Sequence, residues 1–272
     1  KNILYNNKYK KSGGKFMKKL SVLLALLVST VSFAEKEREN SIDLGLGVFY
    51  RNSVYKEKDN DEVLPLPVVG VRYKNFYYEA PVELGYRFYD KENLTFTAYG
   101  RYNLYTGYKP KDLENEFKDM DKRKDDFHLG LRGKYNFGPL GTGIIAHVSG
   151  DVSDKSDGML ARAEINQPVA LGERVTIMPY AAVEYMSENY TDYYFGITDS
   201  ESAKLINTDP YTPGSSYKIA TGIKGYSNIT DNIELVFSGE YNQYSSEVSD
   251  SLLTRGSSNF SLLFGLNYKF GF

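Results

Sequence analysis

From Ser41 to the end of the chain, apolar and polar side chains alternate with a period of two residues. The pattern is clearest in the last segment, where one face carries an unbroken apolar row: Phe260, Leu262, Phe264, Leu266, Tyr268, Phe270 and Phe272. Successive side chains of a β-strand point to opposite faces, whereas a helix needs apolar residues three and four apart. Convincing stretches with the helical spacing are missing from this part of the sequence. The chain is therefore predicted to be all-β.

Twelve strands are predicted between residue 41 and the end of the chain. Between the first segment and the last, the predicted strands are 66–73, 76–80, 82–89, 94–105, 127–137, 142–151, 159–167, 175–185, 217–226 and 233–244. Gly, Pro, Asn, Asp or charge clusters bound each of them. Merging 76–80 with 82–89 would give eleven, an odd number, so a tight turn is placed at Ala80-Pro81. Long connections then alternate with short ones, as outer loops and periplasmic turns do in bacterial barrels.

The charged residues of these strands all fall on the face opposite the apolar rows. They are nearly balanced in sign: Asp43, Arg72, Glu79, Glu83, Arg87, Arg101, Arg132, Lys134, Asp151, Arg162, Glu164, Glu184, Lys218, Lys224, Glu234, Glu240 and Lys269. Alternation alone does not say which face is inside. A soluble sandwich or lipocalin-like barrel would bury the apolar face, and a membrane barrel would turn it to lipid.

Three features favour the membrane arrangement over an exported β-sandwich. Many strands have about the ~9–11 residues that a tilted strand needs to cross a bilayer. The apolar rows often begin or end in Tyr or Phe, as aromatic girdles at two interfaces do. The final row, with Leu266, Tyr268, Phe270 and Phe272 in phase, resembles the carboxy-terminal signature that the barrel-insertion machinery reads. The predicted fold is a closed antiparallel transmembrane β-barrel of twelve strands in the bacterial outer membrane.

The start of the chain predicts export. Met17, Lys18 and Lys19 precede an apolar run at 20–33, small residues flank a cleavage position after Ala34, and charged residues follow. We therefore divide the chain into an upstream segment at 1–16, a signal peptide at 17–34 and the barrel at 35–272. A mean hydropathy of -0.46 excludes a bundle of transmembrane helices. The lack of Cys excludes disulfide scaffolds and zinc-thiolate sites.

The balanced charges of the inner face predict ion pairs across a small lumen, and a narrow, porin-like solute channel is the alternative. The candidate lumen residues are Arg72, Arg101, Arg132, Asp151, Glu164 and Glu240. Wide aqueous channels belong to barrels of ~16–18 strands. The exported part is acidic and has no clustered basic stretch, so nucleic acid is excluded as a partner.

The strongest candidate for catalysis is the pair His147 and Ser149, which lie two residues apart on one predicted strand, as in an outer-membrane phospholipase. Asn166 on the following strand could orient the imidazole. However, the pair shares its face with Asp151 and should point into the lumen, away from the lipid where that enzyme works. We therefore expect His147 and His128 to be hydrogen-bonded lumen residues. No catalytic, metal-binding or cofactor-binding residues are predicted, and the protein is expected not to be an enzyme.

Four short motifs occur in order along the chain. They are Pro67-Val68-Val69-Gly70-Val71-Arg72-Tyr73 before an aromatic pair, Asp151-Val152-Ser153 with Gly158 after it, Tyr193-Tyr194-Phe195-Gly196-Ile197 with Glu201 after it, and the ending Gly265-Leu266-Asn267-Tyr268-Lys269-Phe270. Together they resemble the MipA/OmpV family, the MltA-interacting outer-membrane proteins. The terminal Gly271-Phe272 extends beyond the usual Tyr-x-Phe ending of that family.

This resemblance implies a non-enzymatic barrel that acts through binding. Some members are described as scaffolds that join a lytic murein transglycosylase to a peptidoglycan synthase, and others as surface antigens or adhesins. The expected partners are thus outer-membrane lipid and lipopolysaccharide, the barrel-insertion machinery, and the two murein enzymes, with the protein itself a monomer. No motif assigns the scaffolding role to particular residues.

Overall fold

The structure, a computed structural model, describes residues 40–80, 82–206 and 208–272. Its strands are β1 (Ser41–Asn52), β2 (Asp61–Tyr73), β3 (Phe76–Ala80), β4 (Glu83–Lys91), β5 (Leu94–Asn103), β6 (Asp126–Phe137), β7 (Thr142–Asp151), β8 (Met159–Asn166), β9 (Val169–Leu171), β10 (Val175–Met186), β11 (Ser216–Asn228), β12 (Ile233–Tyr244) and β13 (Ser258–Gly271). Short helices lie in the connections: a 3-10 helix (Asn115–Phe117), α1 (Glu188–Phe195), α2 (Asp199–Ser202) and α3 (Ser246–Ser249). The predicted upstream segment and signal peptide lie outside the described residues.

All of the strands belong to one antiparallel sheet that closes on itself. β1 pairs with β13, with Ser41 opposite Gly271, and β10 pairs with β11, so the sheet has no free end. β8 and β9 both pair with β10, one after the other, and together fill a single place in the wall. The wall is therefore a closed barrel of 12 strands, which confirms the predicted fold.

The apolar rows lie on the outside of the barrel. Leu46 is 76% exposed, and Leu131 and Phe264 are also exposed on the outward face. On the inward face, Glu83 and Glu164 are buried in the lumen. Since lipid tails can cover an apolar surface, this arrangement suits a barrel surrounded by a membrane. Among the described residues, no helix combines the length and apolar character that a membrane-spanning helix requires.

The observed strand boundaries match the predicted ones closely, with two main differences. β2 begins at Asp61 instead of residue 66, because this segment continues to pair with β1 up to Asn52. The connection after β10 contains α1 and α2, where no helix was expected. α1 is amphipathic only weakly and packs its tyrosines against other loops, so its sequence lacks a clear helical period. The predicted turn at Ala80-Pro81 falls partly on Pro81, which lies outside the described residues.

Candidate functional site

The lumen contains charged side chains that pair with one another, and the buried carboxylate of Glu83 is the centre of the first cluster. Its Oε2 accepts hydrogen bonds from Arg101 Nη2 at 2.6 Å and from Arg132 Nη2 at 2.8 Å. Its Oε1 accepts hydrogen bonds from Arg132 Nη1 at 2.9 Å and from the Tyr77 hydroxyl at 2.6 Å. Glu83 and Arg101 are opposite each other on β4 and β5, and Arg132 reaches across from β6. One carboxylate thus links three strands and Tyr77 of β3.

Arg162 is the centre of a second cluster, formed by strands β8, β10, β11 and β12. Its Nη2 lies 3.2 Å from both Glu164 and Glu240, and its Nη1 lies 3.8 Å from Glu184. Tyr180 donates its hydroxyl hydrogen to Glu240 at 2.8 Å. Two lysines complete the cluster by pairing with Glu184 and Glu164, namely Lys218 (2.9 Å) and Lys224 (3.4 Å). Each charge in this group has an opposite charge beside it, which offsets much of the cost of burial.

Of the candidate lumen residues, Arg101 and Arg132 lie in the first cluster, and Glu164 and Glu240 lie in the second. Arg72 is separate from both, because its guanidinium pairs with Asp43 of the neighbouring β1 and lies 3.9 Å from Glu79. The inward charges of this wall are therefore mostly engaged in ion pairs with other strands.

Asp151, the last candidate, fixes the conformation of a loop and makes no ion pair across the lumen with any residue that the structure describes. Its carboxylate accepts hydrogen bonds from the backbone N–H groups of Ser153 (2.7 Å), Lys155 (2.8 Å) and Ser156 (2.7 Å). Gly158 ends this loop, and a Cβ at that position would lie 2.5 Å from the Cβ of Tyr190. Close packing between this turn and the loop after β10 therefore requires glycine there.

A cavity of about 370 Å³ lies in the lumen and is lined by both clusters, including Arg132 and Glu184. It extends to Leu104 and Thr106, where the loop after β5 begins. Cavities that bind small molecules are commonly ~300–1,000 Å³. Because its wall carries both signs of charge, this cavity suits a small polar solute better than a strongly charged ion of either sign.

His147 and Ser149 both face this cavity, but their hydrogen bonds run to different partners. His147 Nδ1 lies 2.9 Å from the Tyr99 hydroxyl of β5, whereas Ser149 Oγ lies 3.2 Å from Nδ1 of His128 on β6. Asn166 donates to Glu164 at 3.3 Å. Residues two apart on a strand point the same way, but their neighbours on adjacent strands lie closer. The structure therefore does not assemble the sequence-derived set of His147, Ser149 and Asn166.

A buried chain of hydrogen bonds joins Ser149, His128 and Asp126, which sequence reasoning did not connect. His128 Nε2 lies 3.0 Å from Asp126 Oδ2, and both residues are fully buried. Asp126 also accepts hydrogen bonds from Asn103 and Ser156, each at 2.8 Å. The two-residue spacing of Asp126 and His128 could have indicated this contact, because it places both side chains on the inner face of β6.

The atoms of Asp126, His128 and Asp151 that could bind a metal lie within 4.8 Å of one another. However, Oδ2 of Asp126 already forms hydrogen bonds with His128 and Ser156. Oδ2 of Asp151 accepts hydrogen bonds from backbone N–H groups. These donors occupy the directions from which a cation would approach. The arrangement is best suited to fixing the loop after β7 against β6.

The long loops at one end of the barrel fold together over the lumen, and we call this assembly the cap. Its buried core is apolar and aromatic: Val54, Tyr55, Tyr108, Leu113, Phe117, Met120, Leu160, Met186, Tyr190, Tyr194, Phe195, Ile197, Val248 and Leu253. Bridges between loops reinforce it, with Tyr55 opposite Thr254 and Glu57 opposite Leu113. Tyr190 both lines the lumen cavity and contacts His128 edge to face. The cap therefore forms one end of the cavity.

A buried ion pair joins two loops of the cap. The Glu201 carboxylate is fully buried and accepts hydrogen bonds from Arg123 at 2.9 Å, from the backbone N–H of Thr198 at 3.0 Å and from that of Asp121 at 3.0 Å. Burial alone would raise the pKa of Glu201, but these donors hold that pKa below its ordinary value. Burial raises the pKa of the Tyr194 hydroxyl, which donates to the carbonyl of Lys124. Glu201 ends one of the sequence motifs, whose role here is to assemble the cap.

The proposed insertion signature lies on β13 and at the end of the chain. Leu266, Tyr268, Phe270 and Phe272 are all exposed on the outward face. Tyr268 and Phe270 have their ring centroids 4.5 Å apart. This outward face is where the signature must lie if it is to be read from outside the barrel.

A closed antiparallel barrel with an apolar exterior and an ion-paired lumen is a transmembrane β-barrel of the outer-membrane type. The family model for the MltA-interacting protein MipA matches residues 44–270, and the chain belongs to this family. It is therefore an integral protein of the bacterial outer membrane, as the sequence predicted.

Two relatives illustrate the range of the family. The chain is 29% identical to the MltA-interacting protein of Escherichia coli, over 93% of this chain and 100% of the relative. It is 25% identical to a 24 kDa outer membrane protein of Pasteurella multocida, also over 93% of this chain and 100% of that protein. Among solved structures, the NanC porin is similar with a TM-score of 0.46 and 10% identity, covering 84% of this chain and 100% of the porin.

Proposed function

We propose that the protein acts by binding, as a scaffold that holds a murein transglycosylase against the inner surface of the outer membrane. The observation that supports this function is membership of a family described as MltA-interacting, together with an E. coli relative of that name that aligns over its whole length. A barrel that acts by binding needs a stable wall and an exposed contact surface, and it needs no open pore.

The lumen fits this proposal better than it fits rapid solute transport. Glu83 and Arg162 each tie several strands together through ion pairs inside the barrel. The cap, built around residues such as Tyr194 and Leu253, packs over one end. Both features stiffen the barrel, and the cap covers one end of its lumen.

The short turns at the other end are the proposed contact surface. In bacterial barrels such turns face the periplasm, where murein lies. Two of them expose large apolar side chains, Leu140 after β6 and Ile229 after β11. Exposed apolar side chains at a water-facing rim are common anchors for protein partners.

Binding to purified MltA, with the barrel held in lipid nanodiscs, tests the proposal. The double variant Leu140→Asp with Ile229→Asp should weaken Kd by about tenfold or more, the size of one hot-spot contact. Ile206→Asp is the matched control, because Ile206 is 88% exposed in the loop after α2, at the opposite end. Absence of wild-type binding at micromolar concentrations would remove the scaffold function, and equal loss in both variants would remove the assignment to the turns.

The lumen cavity supports a second candidate, a narrow channel for small polar solutes. For this function the cap must open, so single-channel recordings in planar bilayers should show rare, small openings. Glu201→Ala, which removes the buried anion beside Arg123, should increase their frequency. Silent bilayers for both proteins would exclude the channel.

A further inference from the structure

The barrel wall is incomplete between β2 and β5, on the side of the cap. β3 has only 5 residues, and β2 pairs with it only from Val69 to Tyr73. On that edge, the other residues of β2, Asp61 to Val68, have no strand partner within the described part of the chain. Across the gap, β4 reaches β5 only as far as Glu83 opposite Arg101. We call this interruption of the wall the notch.

The notch lies at the depth of the hydrocarbon. Pro65 and Pro67 are opposite Val48 and Leu46 of β1, whose side chains face outward and are exposed. An unpaired backbone N–H in lipid costs several kcal/mol, which is why membrane barrels close completely. An interruption at this depth therefore requires some means of removing those donors.

The two prolines of β2 remove two of them. The N–H of Ser53 donates to the carbonyl of Asn60 at 2.9 Å, which continues the pairing of β1 with β2. Bonded pairs alternate along an antiparallel ladder, so the even-numbered residues of β2 bond to β1 and the odd-numbered residues face the notch. The nitrogens of Asp61, Val63, Pro65 and Pro67 therefore face the notch, and the two prolines among them carry no N–H. The prolines therefore lower the cost of leaving this edge unpaired, although its backbone carbonyls remain.

An apolar cluster lies in the lumen behind the notch, beside the ion pair of Arg51 with Glu62. Leu66 and Leu263 are buried there, and Phe49, Leu64, Leu104 and Tyr105 pack against them. Phe49, Leu104 and Tyr105 also line the lumen cavity. So does Tyr102, which lies in the outward row of β5 and is 38% exposed. The cavity thus reaches a residue on the lipid side of the wall.

Tyr105 lies where the notch meets the lumen. Its ring stacks on Phe49 with centroids 6.3 Å apart, and the Arg51 guanidinium lies 4.5 Å from its ring centre. Its backbone has φ 61, a conformation that is unfavourable for a side-chain-bearing residue. Its hydroxyl is buried and has no hydrogen-bond partner among the described residues. Moving this side chain therefore breaks no hydrogen bond of its hydroxyl.

We propose that the notch is a lateral binding site for the hydrocarbon chain of a lipid from the outer leaflet, and that Tyr105 controls access from the notch to the lumen. Lipid is the solvent at this depth, and the apolar cluster behind the notch offers a chain the same environment as the leaflet. The prolines reduce the backbone polarity that the chain must desolvate, because two of the four nitrogens on this edge carry no hydrogen. The proposal is independent of the scaffold function, since it concerns the wall and not the periplasmic turns.

Photo-crosslinking from within the bilayer tests this site. The full barrel is placed in nanodiscs whose phospholipids carry a diazirine at mid-chain, and the labelled residues are mapped by mass spectrometry. The inward-facing Leu66 and Leu104 should be labelled at a yield comparable with that of the outward-facing Leu46. Val236, which is inward-facing and buried in the intact wall, is the matched control and should remain unlabelled. Labels confined to outward-facing residues would overturn the proposal.

A second variant tests the role of Tyr105. Tyr105→Ala should raise labelling of Phe49 several-fold, whereas Tyr241→Ala, which removes an exposed outward tyrosine of β12, should leave it unchanged. Folding of both variants is checked by the difference in electrophoretic mobility between unheated and heated samples. If Tyr105→Ala fails to fold, the wild-type labelling pattern still decides the binding site. Equal labelling of Phe49 in wild type and a folded Tyr105→Ala variant would refute the gate.

Discussion

Replacement of Glu83 by Gln should destabilise the barrel more than any other conservative change in the lumen. The variant keeps the shape of the side chain but removes the charge on which Arg101 and Arg132 converge. Removing one partner of a buried ion pair typically costs 3–5 kcal/mol, because the remaining charge is buried without compensation. Here two cations remain, but their side chains are 25% and 15% exposed, so water relieves part of the cost. We expect a loss of about 3 kcal/mol in the free energy of unfolding.

The measurement is a urea titration of the barrel folded in detergent micelles, followed by circular dichroism of the strands. The chain has no Trp, so tyrosine emission supplies the second probe. Glu173→Gln is the matched control, because Glu173 is exposed in the turn after β9 and should change stability by less than ~0.5 kcal/mol. If Arg101 and Arg132 are both changed to Met, the further change Glu83→Gln should cost far less than in the wild type. A loss below ~1 kcal/mol for Glu83→Gln alone would refute the view that this carboxylate holds three strands together.

Two further predictions concern the lipid face and the cap. Leu131→Arg places a charge on the exposed outer face of β6 and should cost ~2–4 kcal/mol if it lies near the middle of the bilayer, measured by the same titration in lipid vesicles; an unchanged midpoint would contradict the outward orientation. In the cap, the folded-state pKa of Glu201 is lowered, so its stabilising contribution is complete above its ordinary value of 4.5 and is lost as the pH falls through the lower folded-state pKa. The near-ultraviolet tyrosine signal of the cap should therefore weaken on acidification in the wild type, and Glu201→Gln should show the weakened signal already at pH 7. A wild-type and a Gln variant with identical pH profiles would show that Glu201 does not hold the cap.

The fold could be predicted from the sequence because each strand has only two faces, and the alternation shows which residues share a face. Once Leu46 and Phe264 were assigned to lipid, Arg101 and Glu240 had to lie in the lumen, whatever the pairing register. The 12-strand wall rests on this local pattern together with the alternation of long and short connections, whereas the family resemblance rests on four short motifs. Local chemistry is sufficient for this, since the direction of each side chain depends only on its parity along a strand.

The partners within the lumen could not be predicted in this way. His147 and His128 were expected to be hydrogen-bonded lumen residues, but their partners were not predicted: the structure pairs His147 with Tyr99 and His128 with Ser149. Which inward residues meet depends on the stagger between neighbouring strands and on the curvature of the closed wall. A shift of two residues in one register would change every one of these contacts while keeping the same alternation.

The cap and the notch likewise required the tertiary structure. Arg123 and Glu201 come from loops that are distant in sequence, and their meeting depends on where β5, β6, β10 and β11 end around the rim. From the sequence alone, Pro65 and Pro67 are ordinary residues of an edge strand. The structure shows that β3 is short and leaves their side of β2 unpaired. The sequence by itself determined which face of each strand meets hydrocarbon, because that is a property of single strands. The tertiary structure alone decided which inward charges pair, what covers the lumen and where the wall stays open, because these depend on distances between segments that only closure of the barrel brings together.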